Sequence, residues 1–252
     1  MYLMKVKLSA VIITYNEENN LERCLESINP VVDEIVVVDS FSNDGTQKIS
    51  EKFNAVFIQN KFKGHIEQKN FAKSVASYNH IISLDADEAL DIEAQKSVLQ
   101  IKESWSREGY YLNRLNNYCG KWIKHGSWYP DYKLRIWDRR CGDWGGINPH
   151  DQFIIPKQNT TILKGHILHY TTNSKKEFRS QIRYLSNLSA KAYFKKRIKS
   201  SYLKIFIRPI LRFIRDYIFK FGFLDGLAGY QICAATAYGT YLKYKNLKKL
   251  YE

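Results

Sequence analysis

The sequence predicts an α/β fold built on a mostly parallel sheet flanked by helices. Two observations carry that reading. Through the first 90 residues, short apolar runs alternate with stretches of helical periodicity. Those runs are continuous and rich in β-branched residues, as strands covered on both faces are. A third observation locates a ligand: a polar cluster follows three of the runs, and open parallel sheets bind ligands at the carboxyl ends of their strands.

The elements follow in order. Leu8–Thr14 (LSAVIIT) reads as a first strand. Lys5 and Lys7 precede it, but the run is too short for a signal core and leads directly into Tyr15-Asn16-Glu17-Glu18, so it is not expected to be a targeting peptide. A helix is expected from about Glu18 to Ile28, with Leu21, Cys24, Leu25 and Ile28 on one face. Glu34–Asp39 (EIVVVD) is a second strand. Ser42-Asn43-Asp44-Gly45-Thr46 is turn chemistry, with Asp44 as a turn and cap residue, and a helix follows to about Phe53. Ala55–Ile58 is a third strand, Gln68–Tyr78 a helix, and Ile81–Leu84 a fourth strand. From about Gly109 to Tyr170 the pattern changes to short, aromatic-rich strands and turns, including Tyr110–Leu112 and Leu134–Trp137, with no long amphipathic helix. Beyond Ser174 the chain reads as helical, basic and aromatic. The expected division is therefore 1–174, with an internal boundary near 108/109, and a helical extension over 175–252.

Charge sharpens that division. The 252 residues carry 39 Lys+Arg and 25 Asp+Glu, a net +14. Residues 1–174 hold 21 of each sign, so the excess belongs to 175–252, with 18 basic and 4 acidic residues. Residues 191–221 interleave Lys195, Lys196, Arg197, Lys199, Lys204, Arg208, Arg212, Arg215 and Lys220 with apolar residues at spacings of three and four. This predicts an amphipathic basic helix, kinked near Pro209, that suits an anionic membrane surface. Each basic residue near such a leaflet contributes on the order of 1 kcal/mol. The alternative is a helix packed on the domain with a solvated basic face. Gly226–Leu242 is uncharged, but Gln231, two threonines and several tyrosines make it a poor membrane span. Its Gly229, Cys233 and Ala237 suggest close helix packing instead. A composition of 44% hydrophobic and 14% aromatic residues argues against disorder. Cys24, Cys119, Cys141 and Cys233 lie far apart with no C-x-x-C pair, as expected of a reduced cytosolic protein.

Chemistry concentrates at the strand ends. Asp85 and Asp87 follow the fourth strand two residues apart, so in an extended chain they share a face at roughly 7 Å. A divalent cation bearing a diphosphate would turn their repulsion into a binding site. The alternative is a solvated turn in which both carboxylates cap a helix beginning near Glu88. Thr14-Tyr15-Asn16-Glu17 and Asp39-Ser40-x-Ser42-x-Asp44-Gly45-Thr46 end the first two strands. No G-x-G-x-x-G follows a strand and no G-x-x-x-x-G-K-[ST] occurs, so the usual dinucleotide and P-loop readings lack support.

Apolar-T-Y-N-E, then V-V-V-D-S-x-S-x-D-G-T, then a strand ending in D-A-D resembles the nucleotide-binding half of the family 2 inverting glycosyltransferases. The resemblance is strong over 8–90 and looser through Leu134–Trp137, Pro149-His150-Asp151 and Ile167–Tyr170. Length, the downstream pattern and Gly222-Phe-Leu-Asp-Gly226 are similar to bacterial lipopolysaccharide-core glucosyltransferases acting on heptose. The resemblance implies a nucleotide-diphospho-sugar transferase fold of the GT-A type, with a nucleotide-binding half over about 1–108 and an acceptor half over about 109–174. It implies a uridine pocket of Thr14, Tyr15 and Glu17, with Asp39 at the uracil edge and Ser40 alongside. Lys69 and Asn70 would lie near the sugar-diphosphate, although Lys69 equally suits a solvated helix face and Asp39 a helix cap. Asp85 would contact ribose or metal-bound water, and Asp87 would ligate a divalent cation, Mg²⁺ or Mn²⁺.

Single-displacement transfer needs a carboxylate to take the acceptor's proton. Asp151, in Gly145-Gly-Ile-Asn-Pro-His-Asp151, is the best match, on a segment whose Gly-Gly and Pro mark a loop. Many relatives carry Glu or Glu-Asp there. Asp131, Asp138 and Asp143 are competitors, read as surface carboxylates. His169 completes the metal site or bonds locally; His166, three residues away, points to the other face of a strand. Arg135 either stabilises phosphate or flanks core residues. The resulting expectation is a UDP-sugar donor, a lipid-linked saccharide acceptor of the lipopolysaccharide inner core, and a place on the cytoplasmic face of the membrane. A polyprenyl-linked or other surface polysaccharide acceptor is the nearest rival. A basic nucleic-acid-binding module is the rival of another class, poorly served by a neutral N-terminal domain with acidic strand ends, so no nucleic-acid partner is expected.

Overall fold

The computed structural model describes residues 5–147, 150–172 and 174–252. Asn148 and Pro149, in the segment expected to be a loop, lie outside the described residues. The elements are β1 (Leu8–Thr14), α1 (Leu21–Ile28), β2 (Glu34–Asp39), α2 (Thr46–Lys52), β3 (Val56–Gln59), α3 (His65–Val75), β4 (His80–Asp85), β5 (Glu88–Leu90), α4 (Ile92–Glu103), β6 (Gly109–Tyr118), β7 (Lys121–Ile123), β8 (Tyr132–Asp138), β9 (Asp143–Ile147), β10 (His150–Ile154), β11 (Thr160–Thr172), α5 (Lys175–Lys195), α6 (Tyr202–Ile214) and α7 (Gly226–Lys249). They form two compact units: residues up to Arg114 with Asp131–His169, and Leu115–Pro130 with Tyr170–Glu252. The second unit thus takes in 115–130 as well as the C-terminal helices.

In the first unit the expected α/β class is what the chain adopts. The sheet order is β3-β2-β1-β4-β8-β6-β11-β5. The four N-terminal strands pair in parallel, and β8 joins β4 in antiparallel. Alternate residues of the apolar runs serve opposite faces. Ala10, Ile12, Val37, Ile82 and Leu84 pack with α1 and α4 residues such as Leu21, Leu25 and Val98. Val11, Val36, Val38 and Ile81 pack with Ala72, Trp137, Trp144 and Phe153 on the other face. That two-sided burial is why these strands read as unbroken hydrophobic runs. Trp137 stacks on Phe153 at 4.1 Å between ring centroids.

Several boundaries move, each for a local reason. α1 starts at Leu21 rather than Glu18, because the backbone of Glu17 and Glu18 is bonded to the β2–α2 loop. α3 starts at His65, before the expected Gln68, and ends at Val75, since Ala76 is extended. A helix near Glu88 is only the alternative reading of the acidic pair; α4 begins at Ile92, and its N-cap is Asp91, which accepts from the Ala94 amide at 2.7 Å. Gly165 (φ +90°) lets β11 pass over this cap: a Cβ there would sit 2.1 Å from the Ala94 nitrogen. The segment expected to be a loop around Asp151 is the β9–β10 hairpin, with Asp151 opposite Gly146.

In the second unit the expected single basic helix over 191–221 is instead the end of α5, the separate α6 containing Pro209, and a π-helical turn at Arg215–Phe219. Among the helices, Gly229, Cys233 and Ala237 of α7 are buried, in line with close packing; a Cβ on Gly229 would meet the Gly222 carbonyl at 1.9 Å. Ile205 is the one buried residue of α6. Leu203, Phe206, Ile207, Ile210 and Leu211 are exposed, as are Phe219, Leu224 and Leu227 beyond it. Arg212 and Arg215 both pair with the buried Asp216. Among the described residues no helix is long and apolar enough to cross a membrane.

Candidate active site

β1 lies between β2 and β4, so the chain leaves its carboxyl end toward opposite sides and opens a crevice there. Register brings the polar strand ends level: Thr14 pairs with Asp39, and Ile13 with Asp85. A cavity of about 590 Å³ fills the crevice, walled by Thr14, Tyr15, Glu17, Ser40, Lys69, Asp85, Asp87, Asp151 and His169 together with Ile13, Phe62, His65 and Ala86. Of the residues named from the sequence, Asp39, Asn70 and Arg135 are not on that wall; Asn70 instead exchanges two hydrogen bonds with the Trp144 backbone, and Arg135 lines a neighbouring cavity.

Asp39 is fully buried. Its carboxylate accepts from the Thr14 hydroxyl at 2.9 Å and from the Ser42 amide at 2.7 Å. It therefore fixes the wall from behind. The loops after β1 and β2 are stitched by further bonds: the Asn16 amide to the Ser42 hydroxyl, the Glu17 amide to Thr46 Oγ1, and the Gly45 amide to the Glu18 carboxylate. Asp44 accepts from Thr46 and Glu18, as its reading as a turn and cap residue required. Asn16 and Phe41 sit in the left-handed region (φ 55° and 63°), a strained conformation that these bonds impose.

The floor of the cavity is ionic. Lys69 is 5% exposed; its Nζ lies 2.8 Å from Asp85 Oδ1, 2.8 Å from Asp151 Oδ2, and 4.5 Å from the Trp144 ring centre. Neither a solvated helix face nor a free phosphate ligand describes it. Asp85 gives its other oxygen to Arg135 at 2.6 Å, and Arg135 also reaches Glu88 at 2.7 Å. Glu88 pairs with Arg114, Arg114 with Asp131, and Asp131 with Lys133. The result is an alternating chain of charge, Asp151–Lys69–Asp85–Arg135–Glu88–Arg114–Asp131–Lys133. Burial pushes the Asp85 carboxyl up, but Arg135 and then Lys69 outweigh it and hold it well below the ordinary carboxylate range.

Asp87 and His169 form the opposite corner, with Asp87 Oδ2 3.2 Å from His169 Nε2. Beside them burial pushes the Glu17 carboxyl up; its bond from Asn20 works against this and the charge of Asp87 adds to it. Among the described residues no three His, Cys, Asp or Glu side chains gather as a metal cage. The donor set nevertheless fits a cation held partly by its ligand: one carboxylate and one imidazole face the cavity together, whereas both oxygens of Asp85 are taken by cationic side chains. His166, on the same strand as His169, bonds Asp91 at 3.0 Å and is not part of this corner.

A second cavity of about 560 Å³ adjoins the first. Lys69, Asp85 and Asp151 wall both. The rest of its lining includes Tyr111, Tyr132 and Trp144 with Arg114, Lys133, Arg135 and Gln152. Asp151 meets Lys69 through Oδ2, and among the described residues its other carboxylate oxygen has no protein partner. The competing carboxylates are committed elsewhere: Asp131 to Arg114 and Lys133, Asp138 to Arg140, Asp143 to Lys73. Asp138 is 7% exposed and thus buried, not a surface group.

The model of glycosyl transferase family 2 matches residues 9–212, most of the chain. The chain belongs to glycosyl transferase family 2. A glycosyltransferase of Rickettsia typhi whose function is uncharacterised is 27% identical over 97% of this chain and 87% of its own length. The lipopolysaccharide core biosynthesis glycosyltransferase LpsC of Rhizobium meliloti is 28% identical over 90% of this chain and 86% of its own. In fold, the transferase is similar to residues 1–349 of S. aureus TarS, solved with UDP-GlcNAc: TM-score 0.50 at 13% identity, covering 97% of this chain and 91% of that one.

Sequence reasoning missed part of the transferase's site. Phe62 and His65 carry no motif; they reach the wall because the β3–α3 connection ends there, with Phe62 edge-on to His65 at 5.2 Å between centroids. Glu88 read as a helix start, yet its side chain is fully buried against Arg135. Arg135, named from the sequence as a phosphate group or a flank of core residues, instead bridges Asp85 and Glu88. The signal for that pairing was a guanidinium in an apolar strand sequence, which calls for a buried carboxylate partner.

Proposed function

We propose that this family 2 glycosyltransferase moves a sugar, glucose by the resemblance of the sequence, from a UDP-sugar to a saccharide acceptor of the lipopolysaccharide core, with inversion. The observation that carries the reading is the shared wall: Asp151 borders both cavities, so one carboxylate faces a donor on one side and an acceptor on the other.

In this reading the first cavity takes the nucleotide-sugar. Tyr15 and Phe62, 62% and 47% exposed, offer flat faces to a base. Thr14, Glu17 and Ser40 offer hydrogen-bonding groups for uridine, with Asp39 holding Thr14 in place. Asp87 and His169 would hold a divalent cation, which supplies charge stabilisation to the departing diphosphate. LpsC supports the acceptor class, and the UDP-GlcNAc bound by TarS supports a uridine diphosphate donor. The second cavity suits a hydroxyl-rich ring: its charges are balanced within the protein, and Tyr111, Tyr132 and Trp144 supply aromatic faces.

The step then runs as follows. Asp151 takes the proton of the acceptor hydroxyl as that oxygen bonds the anomeric carbon. The bond from that carbon to the diphosphate oxygen breaks on the opposite face, and its electron pair leaves with UDP. Lys69 is a positioning residue: it fixes Asp151 from the protein side and leaves the second oxygen for the acceptor.

The exposed apolar row of α6, continued by Phe219, Leu224 and Leu227, would seat the second unit in the headgroup layer beside a lipid-linked acceptor. This puts the weight on apolar insertion. Of the basic residues, Arg212 and Arg215 pair with Asp216, and Arg208 bonds the Tyr244 hydroxyl. UDP release, screened across sugar nucleotides with truncated core lipopolysaccharide as acceptor and with or without Mn²⁺, tests the reading. Acceptor-dependent release from UDP-glucose with Mn²⁺ is expected; release only from another donor class would refute the donor assignment.

A further inference from the structure

Lys175, Arg179 and Arg183 occur at successive four-residue steps on α5, a row rising about 6 Å per step along one face. The row borders a cavity of about 420 Å³ within the second unit. Across from it, Ala234 and Ala235 of α7 leave room, and Tyr230 and Tyr238 flank that gap. Tyr118 donates to Gln231 Oε1 at 3.3 Å and makes a polar edge. Among the described residues none of the three cations has a carboxylate in ion-pair range. The unit has four to offer. Glu177 is exposed on α5, two residues from Lys175 and from Arg179 and so off their row and outside the cavity lining. Asp216 is taken by Arg212 and Arg215, Asp225 by the amides of Lys124 and His125, and Glu252 by Lys248.

The contrast with the first unit decides what fits. There every cation of the second cavity has its carboxylate within the protein; here three solvent-exposed cations line one side of a cavity whose lining holds no carboxylate. We propose that this cavity binds a phosphate-bearing ligand. The cation row receives phosphoryl oxygens, and the tyrosine rings face the organic part. The space exceeds one phosphate, and Lys175 to Arg183 spans about 12 Å, enough for two phosphoryl groups. Arginine forks match phosphate oxygens bidentately. A phosphorylated saccharide in solution and a phospholipid headgroup share this chemistry.

The test uses the full chain in EDTA, with inorganic pyrophosphate as probe by titration calorimetry. Phosphatidylglycerol vesicles, with phosphatidylcholine as control, are the second probe. Arg179→Gln/Arg183→Gln is compared with Lys191→Gln/Lys195→Gln, which removes equal charge from exposed positions of the same helix outside the cavity. Saturable pyrophosphate binding that the first pair weakens at least about tenfold and the second leaves unchanged is expected. No saturable binding, or equal loss in both pairs, overturns the site and reduces it to diffuse surface charge. Displacement of bound pyrophosphate by phosphatidylglycerol but not phosphatidylcholine vesicles assigns the site to a headgroup; pyrophosphate binding undisturbed by either assigns it to a soluble phosphorylated ligand. Neither arginine walls the two cavities of the first unit, so failure here leaves the transfer reading standing.

Discussion

Arg135 shows what one buried cation does in this site. It is 5% exposed and bridges Asp85, at the end of β4, to Glu88, which has no exposed side-chain surface. Removing it leaves Asp85 with Lys69 alone and Glu88 with Arg114 at 3.3 Å, and breaking such a buried pair costs about 3 kcal/mol. Arg135→Gln is therefore expected to lose about that much stability in urea denaturation. A loss under about 0.5 kcal/mol would mean that water or Arg114 replaces it. None of this was legible residue by residue. Asp85 and Asp87 were visible as a spaced acidic pair, but their separation into an ion-paired carboxylate and a cavity-facing one depends on Lys69 and Arg135, which arrive from α3 and β8. Lys69 illustrates the same limit, since a lysine on a helix gives no sign that it will be buried under two carboxylates.

At the scale of elements, the first half of the fold was legible because its physics is local. Continuous β-branched runs make strands buried on both faces, and the polar residue that ends each run marks the carboxyl edge. The later strands were less so: β6 and β11 mix polar and aromatic residues, and their pairing is set by distant partners. An ion pair at the opposite end of the sheet ties the elements together. Lys102 of α4 is 3% exposed; its Nζ bonds the Val31 carbonyl and pairs at 2.7 Å with Asp33, which accepts from the Leu8 amide at the start of β1. Burial pushes the Asp33 carboxyl up, but Lys102 and the Leu8 amide together hold it below its ordinary 3.8. A carboxyl depressed in the folded state stabilises above its unfolded pKa, and that stability is lost as pH falls through the folded value. Asp33→Asn is thus expected to destabilise by about 2 kcal/mol at pH 7. The gap from the parent chain should close progressively below about pH 4. A gap constant from pH 7 to 3 in chemical denaturation would remove the ion pair from the explanation.

For the molecule as a whole, charge and apolar surface were both visible in the sequence, but their arrangement was not. The net charge of +14 suggested a basic face toward a membrane. Instead, α6 presents leucine, isoleucine and phenylalanine outward, and its own Arg212 and the Arg215 just beyond it are held by Asp216. Salt screens charge but not apolar insertion. Leu203→Ser/Phe206→Ser/Ile210→Ser is expected to reduce co-sedimentation with phosphatidylglycerol vesicles at least about tenfold, since each apolar side chain buried is worth about 2 kcal/mol. That loss should persist at high salt; binding abolished by salt alone, in the parent chain, would return the weight to the basic residues.

Asp151, held by Lys69 on the wall between two cavities, is proposed to take the acceptor's proton. The direct measurement is the turnover of Asp151→Asn beside its UDP affinity. Sugar transfer should fall by about a thousandfold while UDP binding in the first cavity stays within about twofold of the parent chain. Near-normal transfer by Asp151→Asn would contradict the claim.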